Sequence, residues 1–342
     1  MTDIGMEATA RAQPNIALVK YWGKRDTAEN LPAVDSLSLT LDELYTDMRV
    51  RFDASLAADE LTVNGAPQAR LLPRVSRCLD AVGGRGRPAA AIESRTNFPV
   101  GAGLASSAAA FAALVVAAAA AIGRDADTGE LASLAGRASG SAARSLYPGV
   151  VLLERDGGAP GSRDKVGDSL SSKGDVRVTS ILAPAEWALR VVAAVTETKP
   201  KSRGSGEAME ISRSTSPFYR RWVDEQPRDL EAALAAVAAR DLAALGRVAE
   251  HNCLKMHSVM WTSRPALVYW NAATVGCLET VRRLQAEGVD VFFTIDAGPQ
   301  VKAVCTAGSE PLVRAALAAT PGVETVLSSG LGAGARVTEF RR

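Results

Sequence analysis

Residues 99–109 read Pro-Val-Gly-Ala-Gly-Leu-Ala-Ser-Ser-Ala-Ala, a glycine-rich turn that opens a helix of small residues. Gly101 and Gly103 are free to take positive φ and bring backbone close to a ligand. Leu104 and Ala105 lead into Ser106 and Ser107, which fall where a first helical turn leaves its N–H groups unpaired. Free amides, two hydroxyls and the positive end of a helix dipole make a phosphate site. No Gly-Lys-Ser/Thr follows, so the loop is not of the Walker type. An ordinary tight helix start has the same local composition, and the rest of the chain must separate the two readings.

Upstream of the loop, Thr46–Phe52 alternates apolar with charged residues as a half-buried strand does. Glu60–Val63 ends in Asn64-Gly65, a hairpin signal, and Gln68–Val82 has helical spacing at Leu71, Leu72, Val75 and Leu79. Ala89–Ser94 is a short strand running into the loop. Ala105–Ile122 is alanine-dominated and reads as a central helix packed closely on its neighbours, since alanine drives membrane insertion weakly. Downstream, helices are expected at Thr128–Ala138 and Ala142–Leu146, a long surface loop at Gly157–Asp175, and strands at Val176–Leu182 and Ala188–Val195.

Lys199–Gly206 (Lys-Pro-Lys-Ser-Arg-Gly-Ser-Gly) cannot pack a core and sets an expected divide between residues 1–198 and 199–342. Helices follow at Asp229–Arg240, Leu242–Met260 and Pro265–Ala286, the last capped by Ser263. Val289–Ile295 and Val301–Thr306 form a hairpin-like pair, Glu310–Ala319 is helical, and Val323–Leu327 and Ala335–Phe340 close the chain as strands. Helices followed by strand-strand-helix-strand point to an α+β lobe of ferredoxin-like character.

At 342 residues the chain exceeds the usual size of a single core, so two lobes are expected. With 39 basic and 38 acidic residues the net charge is +1, and no basic block argues for nucleic acid or a membrane surface. The N-terminus lacks the pattern of a signal peptide. Cys78, Cys253, Cys277 and Cys305 show no metal or redox spacing and are expected as reduced, mostly buried thiols. His251 and His257, the only histidines, are six residues apart on a predicted helix and do not share a face, so they make no metal pair; capping or helix-surface roles are expected.

Three further segments carry chemistry-bearing side chains. In Asn15–Asp26 an apolar strand ends in Lys20, Tyr21, Trp22, Gly23 and Lys24, where partial burial would lower the Lys20 pKa. Ser139-Gly140-Ser141-Ala142-Ala143-Arg144 is a second small-residue turn, with an arginine placed to grip a phosphate or carboxylate. Asp296-Ala297-Gly298-Pro299 puts a carboxylate at the end of the apolar run Val291–Ile295, where it needs a cationic partner and is then a general-base candidate. Each also has a plain reading: a basic surface turn, a capped helix, a turn-initiating aspartate.

Taken together, these segments resemble the mevalonate diphosphate decarboxylases, a branch of the GHMP kinase superfamily. The resemblance rests on Asn15–Lys24, Leu31-Pro32 with Ser36–Leu41, Asn97–Ala109, Ser139–Leu146 and Asp296–Pro299, five motifs in family order, with Asn252–His257 similar to bacterial members. It implies an α+β, two-lobed GHMP kinase fold. A ribosomal-protein-S5-like N-terminal lobe would bind ATP, and a ferredoxin-like C-terminal lobe would carry the catalytic aspartate.

The reaction implied is ATP- and Mg²⁺-dependent phosphorylation of the C3 hydroxyl of mevalonate 5-diphosphate, then loss of phosphate and CO₂ to give isopentenyl diphosphate. The resemblance assigns Asp296, Lys20 and Arg144 to catalysis, and Tyr21, Lys24, Asn30, Ser139, Gly140, Ser141, Ser205 and Met209 to the substrate. Gly101, Gly103, Leu104, Ala105, Ser106, Ser107 and Asn15 go to ATP, with no dedicated protein metal ligand. A cytoplasmic homodimer that binds neither nucleic acid nor membrane is the implied setting. Sister activities, a mevalonate 5-phosphate decarboxylase or a 3-kinase, stay open, as does a non-catalytic metabolite-binding relative. Three departures bear on this: Val34-Asp35 where members carry Asn-Ser or Gln-Ser, Gly206 where some bacterial members carry an arginine that nearby Arg203 would replace, and Pro148 with the long Gly157–Asp175 loop.

Overall fold

The structure is a computed structural model that describes residues 7–101, 103–155, 176–199 and 203–341; the expected loop at 157–175 lies outside the described residues. The first sheet has the strand order β16-β1-β6-β9-β7-β8. Its members are β1 (Glu7–Ala12), β6 (Thr46–Phe52), β7 (Glu60–Val63), β8 (Ala66–Pro67), β9 (Ala90–Thr96) and β16 (Arg336–Arg341). The second sheet runs β11-β10-β5-β2, with β2 (Asn15–Val19), β5 (Ser36–Thr40), β10 (Val150–Arg155) and β11 (Val176–Leu182). A short ribbon pairs β3 (Lys24–Asp26) with β4 (Leu31–Pro32).

The alternation in β6 sends Met48, Val50 and Phe52 into the core, each contributing about 1.5–3 kcal/mol on burial. They meet α2 (Ser106–Ala121), which is buried on nearly every face and is flanked by α1 (Leu72–Gly83) and α3 (Thr128–Ala138). A helix apolar all round belongs in an interior, and its alanines let β1 and β6 approach closely.

The third sheet, β13-β14-β12-β15, comprises β12 (Leu189–Val195), β13 (Val291–Ile295), β14 (Val301–Thr306) and β15 (Thr325–Ser329). Numbered along the chain from β12, this is the order 2-3-1-4, the antiparallel ferredoxin-like arrangement. That order has β12 as its first strand, so β12 joins this sheet although it precedes the expected divide at 198/199. β16 then returns to pair with β1 in the first sheet. α4 (Ser205–Thr215), α5 (Tyr219–Ala239), α6 (Leu242–Trp261), α7 (Ala272–Ala286) and α8 (Glu310–Ala318) complete the lobe. One face of the third sheet shares a core with the second sheet, α5 and α6, and the other packs on α7 and α8.

One expected helix start moves. Asn271, not Ser263, caps α7: its Oδ1 accepts from the Thr274 N–H at 2.8 Å. Ser263 is buried at the end of α6, where its hydroxyl donates to the Val259 carbonyl.

Candidate active site

Strand β2 ends at Val19, and Lys20 follows with 1% of its surface exposed. Its N–H donates to Asn252 Oδ1 on α6 at 2.8 Å. Its ammonium donates to the Ala17 carbonyl at 2.8 Å and to Asp296 Oδ1 at 2.7 Å. Asp296 stands just past β13, where the Gly298 N–H donates to the Asp296 carbonyl and turns the chain. On the other side Lys302 of β14, wholly buried, brings Nζ to 3.3 Å from Asp296 Oδ2 and donates to the Gly103 carbonyl at 2.7 Å.

Two ammonium groups thus flank one carboxylate, leaving the cluster net positive. Burial pushes the Asp296 pKa up, but the charges of Lys20 and Lys302 outweigh it and hold the carboxyl well below the usual carboxylate range. Its side chain keeps 23% of its surface accessible, so a reactant in the cleft can reach it. Lys302 escaped the reading of the sequence. Its signal is a lone lysine inside the apolar strand Val301–Cys305, expensive to bury unless a carboxylate is near.

The glycine-rich loop faces this cluster. Ala105, at φ +54°, precedes α2, and no side chain caps the helix, so its first amides remain open to an anion. The Gly101 N–H donates to Ser106 Oγ at 3.0 Å, and Ser107 Oγ lies 3.0 Å from Ser139 Oγ. Gly103 has φ +89°, and a Cβ there would stand 2.9 Å from Gly298 Cα. Leu104 is buried beneath the loop.

Arg144 is 2% exposed and sits in a 3-10 turn, Ala142–Leu146. Its guanidinium donates to Asn15 Oδ1 (3.1 and 3.0 Å) and to Ser36 Oγ (2.7 Å). No carboxylate among the described residues forms an ion pair with it, and burial pushes its pKa down to about 10. A buried cation held only by neutral acceptors is a receptor for an anion. Asn15 is spent on this task, since its Nδ2 donates to the Ser141 carbonyl and Ser145 Oγ. The structure thus joins Asn15 to Arg144 and the 139–146 turn.

Tyr21 is buried at the 139–144 turn, its hydroxyl pushed up to about 12 by burial. A Cβ on Gly140 would collide with that hydroxyl, which explains a glycine there. Asn30, at φ +57°, accepts from Tyr21 through its carbonyl and donates to the Gly136 carbonyl. Lys24 has its pKa lowered by burial and by Arg74, a second cation that the sequence reading passed over. Ser205 opens α4, with Gly206 3.4 Å (as a built Cβ) from Lys24 Nζ. Met209 packs with Tyr21, Trp22 and Trp222.

The departures resolve locally. Asp35 accepts from the Arg155 backbone and guanidinium at 2.8 and 2.9 Å, so its charge is neutralised at the end of β10. Arg203 pairs with Glu207 one helical turn on. His257, expected at a cap or on a helix surface, is instead fully buried, its Nε2 3.2 Å from the Ile295 carbonyl. The reason is tertiary: α6 lies against β13, with Cys253 also bonded to Ile295.

A glycine-rich loop opening a buried helix, opposite a lysine-flanked aspartate in a two-lobed α+β frame, defines a nucleotide-using enzyme of the GHMP kinase fold. The profile described as diphosphomevalonate decarboxylase-like N-terminal domain matches residues 12–164, and that of the mevalonate 5-diphosphate decarboxylase C-terminal domain matches residues 191–325. The chain belongs to the diphosphomevalonate decarboxylase family. It is 33% identical to the diphosphomevalonate decarboxylase of Eremothecium gossypii over 94% of this chain and 84% of that protein. The human enzyme is 31% identical over 85% of this chain and 74% of its own length. The crystal structure of mevalonate diphosphate decarboxylase from Staphylococcus aureus is 31% identical and covers 98% of each chain with a TM-score of 0.86. A structure of MDDEF in complex with MVAPP, AMPPCP and magnesium is 32% identical, covers 98% of this chain and 99% of that one, and also has a TM-score of 0.86.

Proposed function

We propose that this chain transfers the terminal phosphoryl group of ATP to the C3 hydroxyl of mevalonate 5-diphosphate, and that loss of phosphate and CO₂ then gives isopentenyl diphosphate. The observation that carries this reading is the Asp296 carboxylate held between Lys20 and Lys302, opposite the open amides of α2.

Asp296 orients the tertiary hydroxyl and accepts its proton. So acidic a carboxyl is a weak base, which suits a loose phosphoryl-transfer transition state that asks little proton abstraction of the nucleophile. Lys20 and Lys302 leave net positive charge where phosphoryl oxygens gather. Arg144, lacking a carboxylate of its own, takes the C1 carboxylate and fixes the bond that breaks to CO₂. Lys24, Arg74, Tyr21, Ser139, Gly140 and Ser141 surround the 5-diphosphate end, with Asn30, Ser205 and Met209 shaping its pocket. Gly101–Ser107 holds the ATP phosphates. A magnesium ion would be carried mainly by the ATP phosphates and water. Magnesium and ATP together supply a phosphoryl group with neutralised charge.

The pairing of Asp35 with Arg155 supports the diphosphate as substrate, because no loose carboxylate is left at that position to repel it. The deciding experiment follows ADP, phosphate and CO₂ with mevalonate, its 5-phosphate and its 5-diphosphate. Equal release of all three products with the diphosphate alone is expected; ADP without CO₂, or preference for a less phosphorylated substrate, transfers the assignment to a sister activity. The same reading includes a cytoplasmic homodimer, checked by light scattering on the purified chain. Among the described residues no helix is long and apolar enough to cross a membrane.

A further inference from the structure

We infer that Lys302 is a positioning residue that couples the glycine-rich nucleotide loop to the catalytic aspartate. Among the described residues its ammonium is the one side-chain group that touches both. It donates to the Gly103 carbonyl at 2.7 Å and stands 3.3 Å from Asp296 Oδ2. That oxygen is buried and has no hydrogen-bond donor among the described residues, so the Lys302 charge is its nearest compensation, whereas Oδ1 has Lys20.

The geometry around the pair leaves little slack. Lys302 is wholly buried in the register of β14, between β13 and β12. Gly103 lies against Gly298, two residues past Asp296, with no room for a side chain between the two backbones. Loop and aspartate turn therefore meet as bare backbone, and the lysine links them from beneath. Moving the loop onto a nucleotide pulls on Gly103, hence on Lys302, hence on the field at Asp296. The other titratable or charged groups facing this pair are Lys20, Arg144, and Cys253 and His257 of α6. Among the described residues none of them bonds to the loop.

The inference rests on the phosphoryl-transfer reading above, and two substitutions test it with one readout independent of turnover. Lys302→Met removes both donor and charge. Lys302→Gln keeps an amide able to donate to the Gly103 carbonyl and removes only the charge. Dissociation constants for the Mg²⁺ complex of a non-hydrolysable ATP analogue are measured by calorimetry, and the acid limb of kcat/KM is followed for each protein. With Lys302→Met, analogue affinity is expected to fall about tenfold, and the acid limb to rise by about one pH unit or more as Asp296 loses a compensating charge. Lys302→Gln is expected to separate the two, keeping affinity within about threefold while the limb still rises. A packing role alone would move the melting temperature and leave both readouts in place, and that result overturns the inference. So does a Gln variant that loses as much analogue affinity as the Met variant. If the wild-type protein binds the analogue but turns over no diphosphate, the functional reading fails while the affinity comparison still decides the link to the loop.

Discussion

Lys20 and Asp296 stand 276 positions apart in sequence and are joined by a 2.7 Å ion pair across the cleft. The pair puts the first lobe's strand end and the second lobe's aspartate turn into one charge cluster, so the lysine-flanked carboxylate exists only in the assembled fold. Asp296→Asn keeps the shape but cannot accept a proton, and it leaves two ammonium groups facing a neutral amide. Turnover is expected to drop by about a thousandfold, with affinity for the ATP analogue held within about threefold. Parallel loss of both would point to misfolding, which a melting curve would reveal.

Under the proposed function, Arg144 bears on carboxylate departure. It carries a desolvated charge with neutral acceptors and no ion-pair partner among the described residues, so the folded protein bears a cost that a bound anion would relieve. Arg144→Met is expected to lower kcat/KM by at least about a hundredfold while leaving thermal stability unchanged or higher. Initial rates and a melting curve on the same sample measure the two effects. A large fall in stability would mean that Arg144 chiefly holds the 139–146 turn together.

Gly103→Ala asks a side chain to occupy φ +89° with its Cβ 2.9 Å from Gly298 Cα. The strained backbone costs about 1–3 kcal/mol, and relief is available only by moving the loop. The expected outcome is an ATP KM raised by about tenfold or more, with a smaller change in the KM for the diphosphate. Equal changes in both would show that the loop does not hold the nucleotide.

His257 gives a pH dependence of stability with a definite sign. Burial, then the nearby Lys20 charge, pushes its pKa down to about 3 from 6.5. Its contribution to stability is therefore fully present above pH 6.5 and lost as pH falls, because the unfolded chain binds a proton that the folded one refuses. Between pH 6.5 and 5 the loss approaches about 1.4 kcal/mol per pH unit. Asp296 also has a depressed pKa, and its contribution is lost only at lower pH, below about 4. Urea unfolding at pH 7.5, 6 and 5 is expected to show the slope in the wild-type protein and to show it flattened in His257→Gln.

Much of the frame is legible without coordinates. β6 appears with its expected bounds, Thr46–Phe52, because strict alternation over seven residues has one good solution. α2 follows from alanine density, and the hairpin at Asn64-Gly65 from turn chemistry. Where local rules compete, the reading slips. The cap of α7 lies eight residues beyond Ser263, at Asn271, because Asn271 offers the better cap and the Ser263 hydroxyl is taken up by the Val259 carbonyl of α6. β12 looks like any strand that follows β11, and nothing within Leu189–Val195 says that its partners are β14 and β15.

The sequence by itself determined most element types and the glycine loop, because periodicity, capping and turn preference are local physics, and it offered Lys20, Arg144 and Asp296 as candidates. Only the tertiary structure decided which charges meet. Lys302 beneath Asp296, Asn15 spent on Arg144, Asp35 neutralised by Arg155 and His257 sealed behind Ile295 are all contacts between residues distant in the chain. Their energies depend on burial and on separations of a few ångströms, and neither quantity is a property of any short stretch of sequence.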